Sequence, residues 1–522
     1  MASNIVWLDR IDAWRQLYDK KKTAHQTVTD YYSNKFPLNL IPVNLIFSFG
    51  RAMIPQLYFK NPVVAVNIER QGFEDAALTL QKVDDALIRV TKLKHTIKKM
   101  IAMAYCYGRG PAKCGFSLDK ESTLRSGVFG VVPRASELWK LREMIAPNRP
   151  WFLPFYPDDF AFDAMVSDFE DSAWQAMRFE RSARQLEDDD YLTPLMKGVD
   201  KSNDPDFMYE FWEIWDKYTG RFVYMSEAGE TTSGENIEVW PFHVLDFNWT
   251  PRNPIPVSDA ELILKLQEEY NEIKTQIHEH RRVSVLKLIA RKNSFDRDAK
   301  AMMESGKVAP LVEVDGVPSE SLMEFKPSIP ESLYTVGNTT LDDVRDSIGY
   351  TRNQLGEFQP PTRGRTAKEA TIVQQAIMLR LDERRDMVAD LIANVITTYN
   401  DYIIGTWEAT DAERYVGEPV GWEKLDEVKD EYTVSIVPDS TLPVGRLVKQ
   451  QEAKEMYLTL RGDPLIDQVK LRLRFLSSFE SGDTSLLNPM GAQLVEQSPN
   501  QPRAIQGAQG SLGESGQELG QG

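Results

Sequence analysis

The chain has 522 residues, of which 42% are hydrophobic, 27% charged and 10% aromatic. That is enough apolar material for a sizeable interior and too much length for one ordinary core, so two to four structural regions are expected. Sixty-one Lys and Arg against 78 Asp and Glu leave a formal charge of -17, which excludes a broad surface for gripping nucleic-acid phosphates.

The opening "MASNIVWLDR" has no basic region followed by an apolar core, so no signal peptide is expected. Residues 1 to about 125 read as helical. The most apolar window, "LNLIPVNLIFSFGRAMIPQLYF", is broken by Pro42, Asn44, Arg51, Pro55 and Gln56, and reads as a buried helix with kinked flanks. A bilayer helix needs about 20 nearly unbroken apolar residues, so the protein is expected to be soluble, without a membrane partner. Ala77, Leu80, Val83, Leu87, Val90, Leu93, Ile97 and Ile101 then recur at the spacing of an amphipathic helix. "YGRGPAKCGF" ends that helix and begins an extended segment. Its glycines follow a helix instead of a strand and no GK[ST] is present, which argues against a nucleotide-binding loop. Cys106 and Cys114 are the only cysteines, so there is no disulfide framework, and a reducing compartment is expected.

Residues 125 to 250 turn β-rich. "YEFWEIWDKYTGRFVYM" reads as a hairpin with its turn at 217–220, and Trp212 and Trp215 as packing residues. The acidic runs "PDDFAFD" and "LEDDDY" read as solvated turns, with a divalent ion at a subunit junction as the alternative. Next, "PVSDAELILKLQEEYNEIKTQIHEHRR" opens on a capping box, Ser258 and Glu261, and ends on His280, Arg281 and Arg282, cations placed against the negative end of a helix dipole. Leu262, Leu266, Tyr270, Ile273 and Ile277 form a narrow apolar stripe along a charged rod of ~37 Å. Such a rod packs in a line against something else. His278 and His280 fall on different faces of it and read as solvated; neither the count nor the spacing of histidines and cysteines supports a zinc site.

Residues 284–330 leave that pattern. "VSVLKLIARK" and "KVAPLVEVDG" read as strands around a short helix, "DRDAKAMMES", a small α/β insert in which seven Lys and Arg balance seven Asp and Glu. A second rod carries Leu341, Val344, Ile348 and Leu355, opened by Thr340 and Asp343 in a capping arrangement. Then comes "GEFQPPTRGRTAKEA", stiffened by Pro360 and Pro361 and loosened by Gly364. Thr366 and Glu369 form a third capping box, starting a long helix of roughly 55 Å with Val373, Ile377, Val388, Leu391, Ile392, Val395, Ile396, Tyr399 and Ile403 apolar. From Glu357 to Arg385 six Lys and Arg outnumber four Asp and Glu, against the trend of the chain. "EYTVSIVPDSTLP" reads as a strand, and "RLVKQQEAKEMYLTL" and "DPLIDQVKLRLRFLSSF" as short helices joined at Gly462. From Gly491 the tail, with seven Gly and seven Gln in 32 residues, is too poor in apolar side chains to order itself.

This order resembles the portal proteins of tailed bacteriophages, over roughly residues 5 to 480. The stretches "LIFSFGRAMIPQLYFKNPVVAV", "IAMAYCYGRGPAKCGF", "EIWDKYTGRFVY" and "TRGRTAKEATIVQQAIMLRLDERR" carry the resemblance together; none is specific alone. It implies an α+β, mainly helical, ring-forming fold. The wing would be 1–256, first stem helix 257–283, clip 284–330, second stem helix 331–356, tunnel loop 357–366, long wing helix and strand 367–444, crown helices 445–480 and disordered tail 481–522. It further implies a dodecameric ring at one capsid vertex of the virion, assembled in the host bacterial cytoplasm, with a channel for packaging and ejecting double-stranded DNA without reading its sequence. Gln359, Arg363, Arg365 and Lys368 would face that channel. Arg291, Lys292, Arg297 and Lys300 would face the terminase large subunit and then a tail adaptor protein. Leu262, Leu266, Tyr270, Ile273, Ile277, Leu341, Val344 and Ile348 would pack the stem, and major capsid and scaffolding proteins would be further partners. No catalytic residue, metal or cofactor is expected. The alternatives are another structural ring component, such as a head-tail adaptor or minor capsid protein, and an enzyme, for which neither a phosphate loop nor a carboxylate-metal cluster is found.

Overall fold

The computed structural model describes residues 2–58, 61–117, 148–187, 192–197, 204–283 apart from 233, 287–290, 322–325, 330–349, 367–417 and 431–436, with shorter pieces within 297–301, 419–427 and 454–475. Side chains are described for most of these, but not for 2–5, 185, 187, 235, 283, 287–290, 322–325 or 367–380. The chain divides into two compact units, Met1–Leu442 and Pro443–Gly522. In the second, Tyr457 stacks on Phe475 with ring centroids 4.8 Å apart. The fold is mixed α and β, with helix predominating over several small antiparallel sheets.

The first unit opens on α1 (Ala2–Tyr32), which serves two cores. Its first half buries Ile11, Trp14 and Tyr18 against a β-rich core, and its second half buries Val28 and Tyr31 against a helical one. Helix α2 (Leu45–Leu57) carries Pro55 near its end and is capped by Asn44, whose side chain accepts a hydrogen bond from Phe47 N. The apolar window is thus a buried helix, as its composition indicates.

The amphipathic run from Ala77 to Ile101 is two helices instead of one. Helix α3 (Glu74–Val90) ends at Thr91, and α4 (Leu93–Tyr107) starts after Lys92, which adopts a left-handed conformation with φ 55°. Two β-branched residues in succession, Val90 and Thr91, weaken the helix there, and Thr91 Oγ1 donates to Leu87 O. Both halves keep their apolar faces buried except at Val90, which is 38% exposed at the end of α3, so the period otherwise survives the break. Gly108, at φ 86° and with no room for a Cβ beside Pro256 O, turns the chain out of α4.

Strand β1 (Val64–Ile68) lies in a region read as wholly helical and pairs antiparallel with β12 (Tyr432–Ile436). Strands β2 (Arg109–Ser117), β3 (Arg149–Pro154) and β9 (Phe242–Asp246) form a sheet in the order β3-β2-β9. Strands β4 (Phe160–Phe162), β5 (Trp174–Ser182), β6 (Met208–Asp216), β7 (Arg221–Ser226) and β8 (Glu235–Asn236) form an antiparallel meander, with the short α5 (Ala183–Glu187) after β5. The β6-β7 hairpin turns at 217–220, where Asp216 Oδ1 accepts from Tyr218 N at 2.9 Å, and Trp212 and Trp215 are buried packing residues.

The run "PDDFAFD" is not a solvated turn. Asp159 is buried and receives Arg178 at 2.7 Å, while Asp158 accepts from Tyr18 Oη at 2.7 Å. Carboxylates held this way tie the sheet to α1. The run "LEDDDY" falls mainly on 188–191, outside the described residues.

Helices α6 (Asp259–Val283) and α7 (Glu331–Ile348) flank a two-stranded antiparallel pair, β10 (Lys287–Ala290) with β11 (Leu322–Phe325). β10 falls within "VSVLKLIARK"; its partner comes from "SLMEF", and "KVAPLVEVDG" lies outside the described residues. Helix α7 starts nine residues before Thr340, so that threonine is no cap: its Oγ1 donates to Val336 O inside the helix. Gly349, at φ 75°, ends α7 by donating to Arg345 O and Asp346 O, seven residues short of the expected limit at 356. Helix α8 (Ala367–Thr406) follows, then α9 (Ala409–Val416). Val388, Leu391, Ile392, Val395, Ile396, Tyr399 and Ile403 of α8 are all buried in the helical core.

Asp84 of α3 is fully buried in that core, where Asn400 Nδ2 of α8 donates to its Oδ2 at 3.3 Å. Burial pushes its carboxyl well above the usual range, against the hydrogen bond from Asn400. Asp84 Oδ1 and Asn400 Oδ1, both acceptors, have no donor, and a proton on the carboxyl supplies one. The folded state therefore holds a proton that the unfolded state releases, and stability falls as pH rises from about 4 through the folded pKa. Asp84→Asn should be more stable than the parent at pH 7 and equal to it near pH 4. Denaturant midpoints across that range read this; a difference independent of pH would contradict it.

Candidate functional site

The α6/α7 pair is where the described residues gather most of the expected functional positions. The two helices run antiparallel: a Cβ on Gly337 of α7 would touch Ile273 of α6 at 3.4 Å, while Asp259 and Leu262 share a cavity of about 250 Å³ with Ser347 and Ile348. Ser258 opens α6 as expected, its Oγ accepting from Glu261 N at 2.9 Å. Tyr270, Ile273, Val344 and Ile348 are buried, and Leu266, Ile277 and Leu341 half-buried.

Leu262 departs from the expectation, being 46% exposed. The buried line of α6 begins instead at Ala260, Ile263, Leu264 and Gln267 and continues through Tyr270 and Asn271. Two polar residues belong to this line because they hold backbone. Gln267 Oε1 accepts from Leu45 N at 2.6 Å, and its Nε2 donates to Val43 O at 2.7 Å. Asn271 Oδ1 accepts from Val43 N and Thr275 Oγ1 from Ile41 N, both at 2.9 Å. Side chains four residues apart on one helix face thus stand in for a neighbouring strand, and residues 41–45 are strapped along α6. Gln267→Leu takes the acceptor from Ile46 N and leaves Leu45 N and Val43 O with only the 3.0 Å bond between them. It should cost about 2–3 kcal/mol, read as a drop in the urea midpoint. A loss under about 0.5 kcal/mol would mean that the strap finds other partners.

At the base of the pair, α8 is clamped to α6. Arg384 donates from Nη1 to Asp259 Oδ2 and from Nη2 to Asp259 Oδ1, each at 2.8 Å, with the carboxylate almost wholly buried. Asn248 Nδ2 donates to the same carboxylate at 2.9 Å, and the guanidinium lies 5.3 Å from the Phe247 ring centroid. A second tie joins α1 to α6 through Lys21 Nζ and Glu261 Oε1 at 2.5 Å.

The exposed face of α6 carries Glu269, Glu272 and Glu279, and that of α7 carries Glu331, Asp343 and Asp346. Lys265 and the terminal Arg281 and Arg282 are the exposed cations of α6.

Of the other expected site residues, Gln359, Arg363 and Arg365 lie outside the described residues, as do Arg291, Lys292 and Lys300. Lys368 is on α8, where only the backbone is described. Arg297 is exposed in a short helical stretch. The interlock of Gln267, Asn271 and Thr275 and the clamp of Arg384 on Asp259 were not anticipated. The i, i+4, i+8 spacing of the first set was visible in the sequence, but the strap it holds lies some 230 residues away.

Among the described residues no cluster of His, Cys, Asp and Glu could hold a metal ion, and no helix is long and apolar enough to cross a membrane. No protein-family model matches the chain, and no curated protein matches it.

Proposed function

We propose that this chain is a ring-forming portal protein of the tailed-bacteriophage type, and that its role is mechanical instead of catalytic. The reading rests above all on one observation: two antiparallel helices enclose a small β pair, interlock through an apolar line and turn acidic faces outward. In a ring of about twelve copies, rods of this kind form the wall of a channel. Glu269, Glu272 and Glu279 on a lumen wall repel DNA phosphates, which keeps a duplex centred and moving with little friction. The β10/β11 insert, at the far end of the rods from the body, is then the part offered to the terminase large subunit and later to a tail adaptor. Capsid and scaffolding proteins hold the ring at one vertex of the virion.

The segment 357–366 supplies the local contact with DNA in this proposal. Arg363 and Arg365, repeated around the ring, touch phosphates without reading bases. Arg363→Ala/Arg365→Ala should leave ring assembly intact and reduce packaging or retention of DNA, measured as nuclease-protected genome per particle. Protection equal to that of the parent would refute the assignment.

A further inference from the structure

The two flanks of the α6/α7 pair carry opposite charge at matching levels. On a helical wheel at 100° per residue, the strap-holding Gln267, Asn271 and Thr275 lie roughly opposite Leu262 and Ile273, which face α7. The α6/α7 pair therefore has a strap flank and an α7 flank. On the outer side of α7, Glu331, Asp343 and Asp346 are exposed, each at least roughly 120° round the wheel from Gly337. The only Arg or Lys of α7, Arg345, is buried and bonded to Asp342.

The strap flank is basic. Lys20, Lys22 and Lys35 of α1 and the turn after it are exposed, with only loose contacts to Asp19 at 3.9 Å and Asp30 at 3.8 Å. Levels along the rods follow from the hydrogen bonds. Lys21 reaches Glu261, so 20–22 lies at the end of α6 where Leu262 and Ile348 meet, at the level of Asp346. Asn44 Nδ2 donates to Tyr31 O at 2.6 Å and reaches Asn34, while its neighbours Val43 and Leu45 are held by Asn271 and Gln267, which puts the turn carrying Lys35 at the level of α6 that lies across from Asp343. Asp346 and Asp343 thus have lysines at the same levels on the opposite flank, Lys20 and Lys22 for the first and Lys35 for the second, whereas Glu331 lies further along the pair.

We infer that copies of this chain join head to tail, the α7 flank of one seated against the α1-and-strap flank of the next. This rests on the ring reading and names the surfaces that would make it. A contact between two different flanks is heterologous and closes into a ring if its rotation divides the circle. Matching charge then fixes register and speeds encounter more than it adds affinity.

The test uses the full chain and two variants, Lys20→Glu/Lys22→Glu/Lys35→Glu and Asp343→Lys/Asp346→Lys, with assembly followed by sedimentation. Each variant alone places like charges across every junction. Each should need at least about tenfold more protein to assemble than the parent. An equimolar mixture of the two, each prepared separately, should assemble at the parent's concentration, because every junction again joins opposite charges. Recovery on mixing also shows that both variants fold. Either variant assembling like the parent, or a mixture that fails to recover, overturns the inference while a ring-forming parent leaves the ring reading standing. A parent that stays monomeric at every concentration overturns both.

Discussion

Replacing Lys113 by Met is expected to destabilise the first compact unit by about 3–5 kcal/mol. Lys113 sits on β2 of the three-stranded sheet, and its Nζ lies 2.6 Å from both carboxylate oxygens of Glu213 on β6 of the five-stranded sheet. Both side chains are almost wholly buried, and Trp215 Nε1 donates to the same carboxylate at 2.7 Å. Burial lowers the lysine's pKa while Glu213 pulls it back up, the balance expected of an ion pair in a dry interior. Removing the cation strands Glu213 where no water reaches it. The double variant Lys113→Met/Glu213→Leu removes both charges and should recover most of the loss, apart from the orphaned Trp215 N–H, which costs about 1–3 kcal/mol. Urea unfolding of the parent, single and double variants separates these terms. A single variant as stable as the double would show that the pair contributes nothing.

Arg384→Met should have an effect of similar size, about 3–5 kcal/mol, for the same reason at a different junction. The carboxylate of Asp259 would keep its hydrogen bond from Asn248 but lose two charge-assisted bonds, and it is almost wholly buried. The damage should also be localised. Arg384 is the point at which α8 meets the first turn of α6, so amides of that turn should lose protection from hydrogen exchange before the sheets do. Pairing Arg384→Met with Asp259→Asn should restore part of the stability by removing the stranded charge. If the pair is no more stable than Arg384→Met alone, the guanidinium acts through its contact with Phe247 or Met53 and not through Asp259.

How much of this was legible in the sequence follows from the range over which each signal acts. The bounds of α6 were readable because its cap, Ser258, and its terminal cations lie within the helix's own turns. The hairpin at 217–220 was readable for the same reason: strand composition and turn are contiguous. Lys92 was not, because the apolar period continues across the break and only the backbone angle changes. Gln267 and Asn271 were not singled out, because they fall off the apolar stripe and their partners lie in a segment more than 220 residues earlier. Asp159 was misread likewise, its Arg178 being supplied by a neighbouring strand. Leu262 shows the converse error, an apolar residue in correct period that faces the open cavity between α6 and α7 and so stays 46% exposed. Of the candidate site, the residues expected to pack a stem are mostly buried or half-buried, as their period requires, while Arg363 and Arg365 and most of the cations expected on a clip fall outside the described residues.

The β1-β12 ladder sets an order of events during synthesis. Val64 pairs with Ile436, so the edge of β1 is exposed on the nascent polypeptide until some 370 further residues have left the ribosome. A contact of that sequence separation closes late, after local helices and hairpins have formed. The first compact unit is therefore completed by the last of its described strands, and a chain cut short before Tyr432 would present an unsatisfied strand edge to other copies, the kind of template that promotes aggregation.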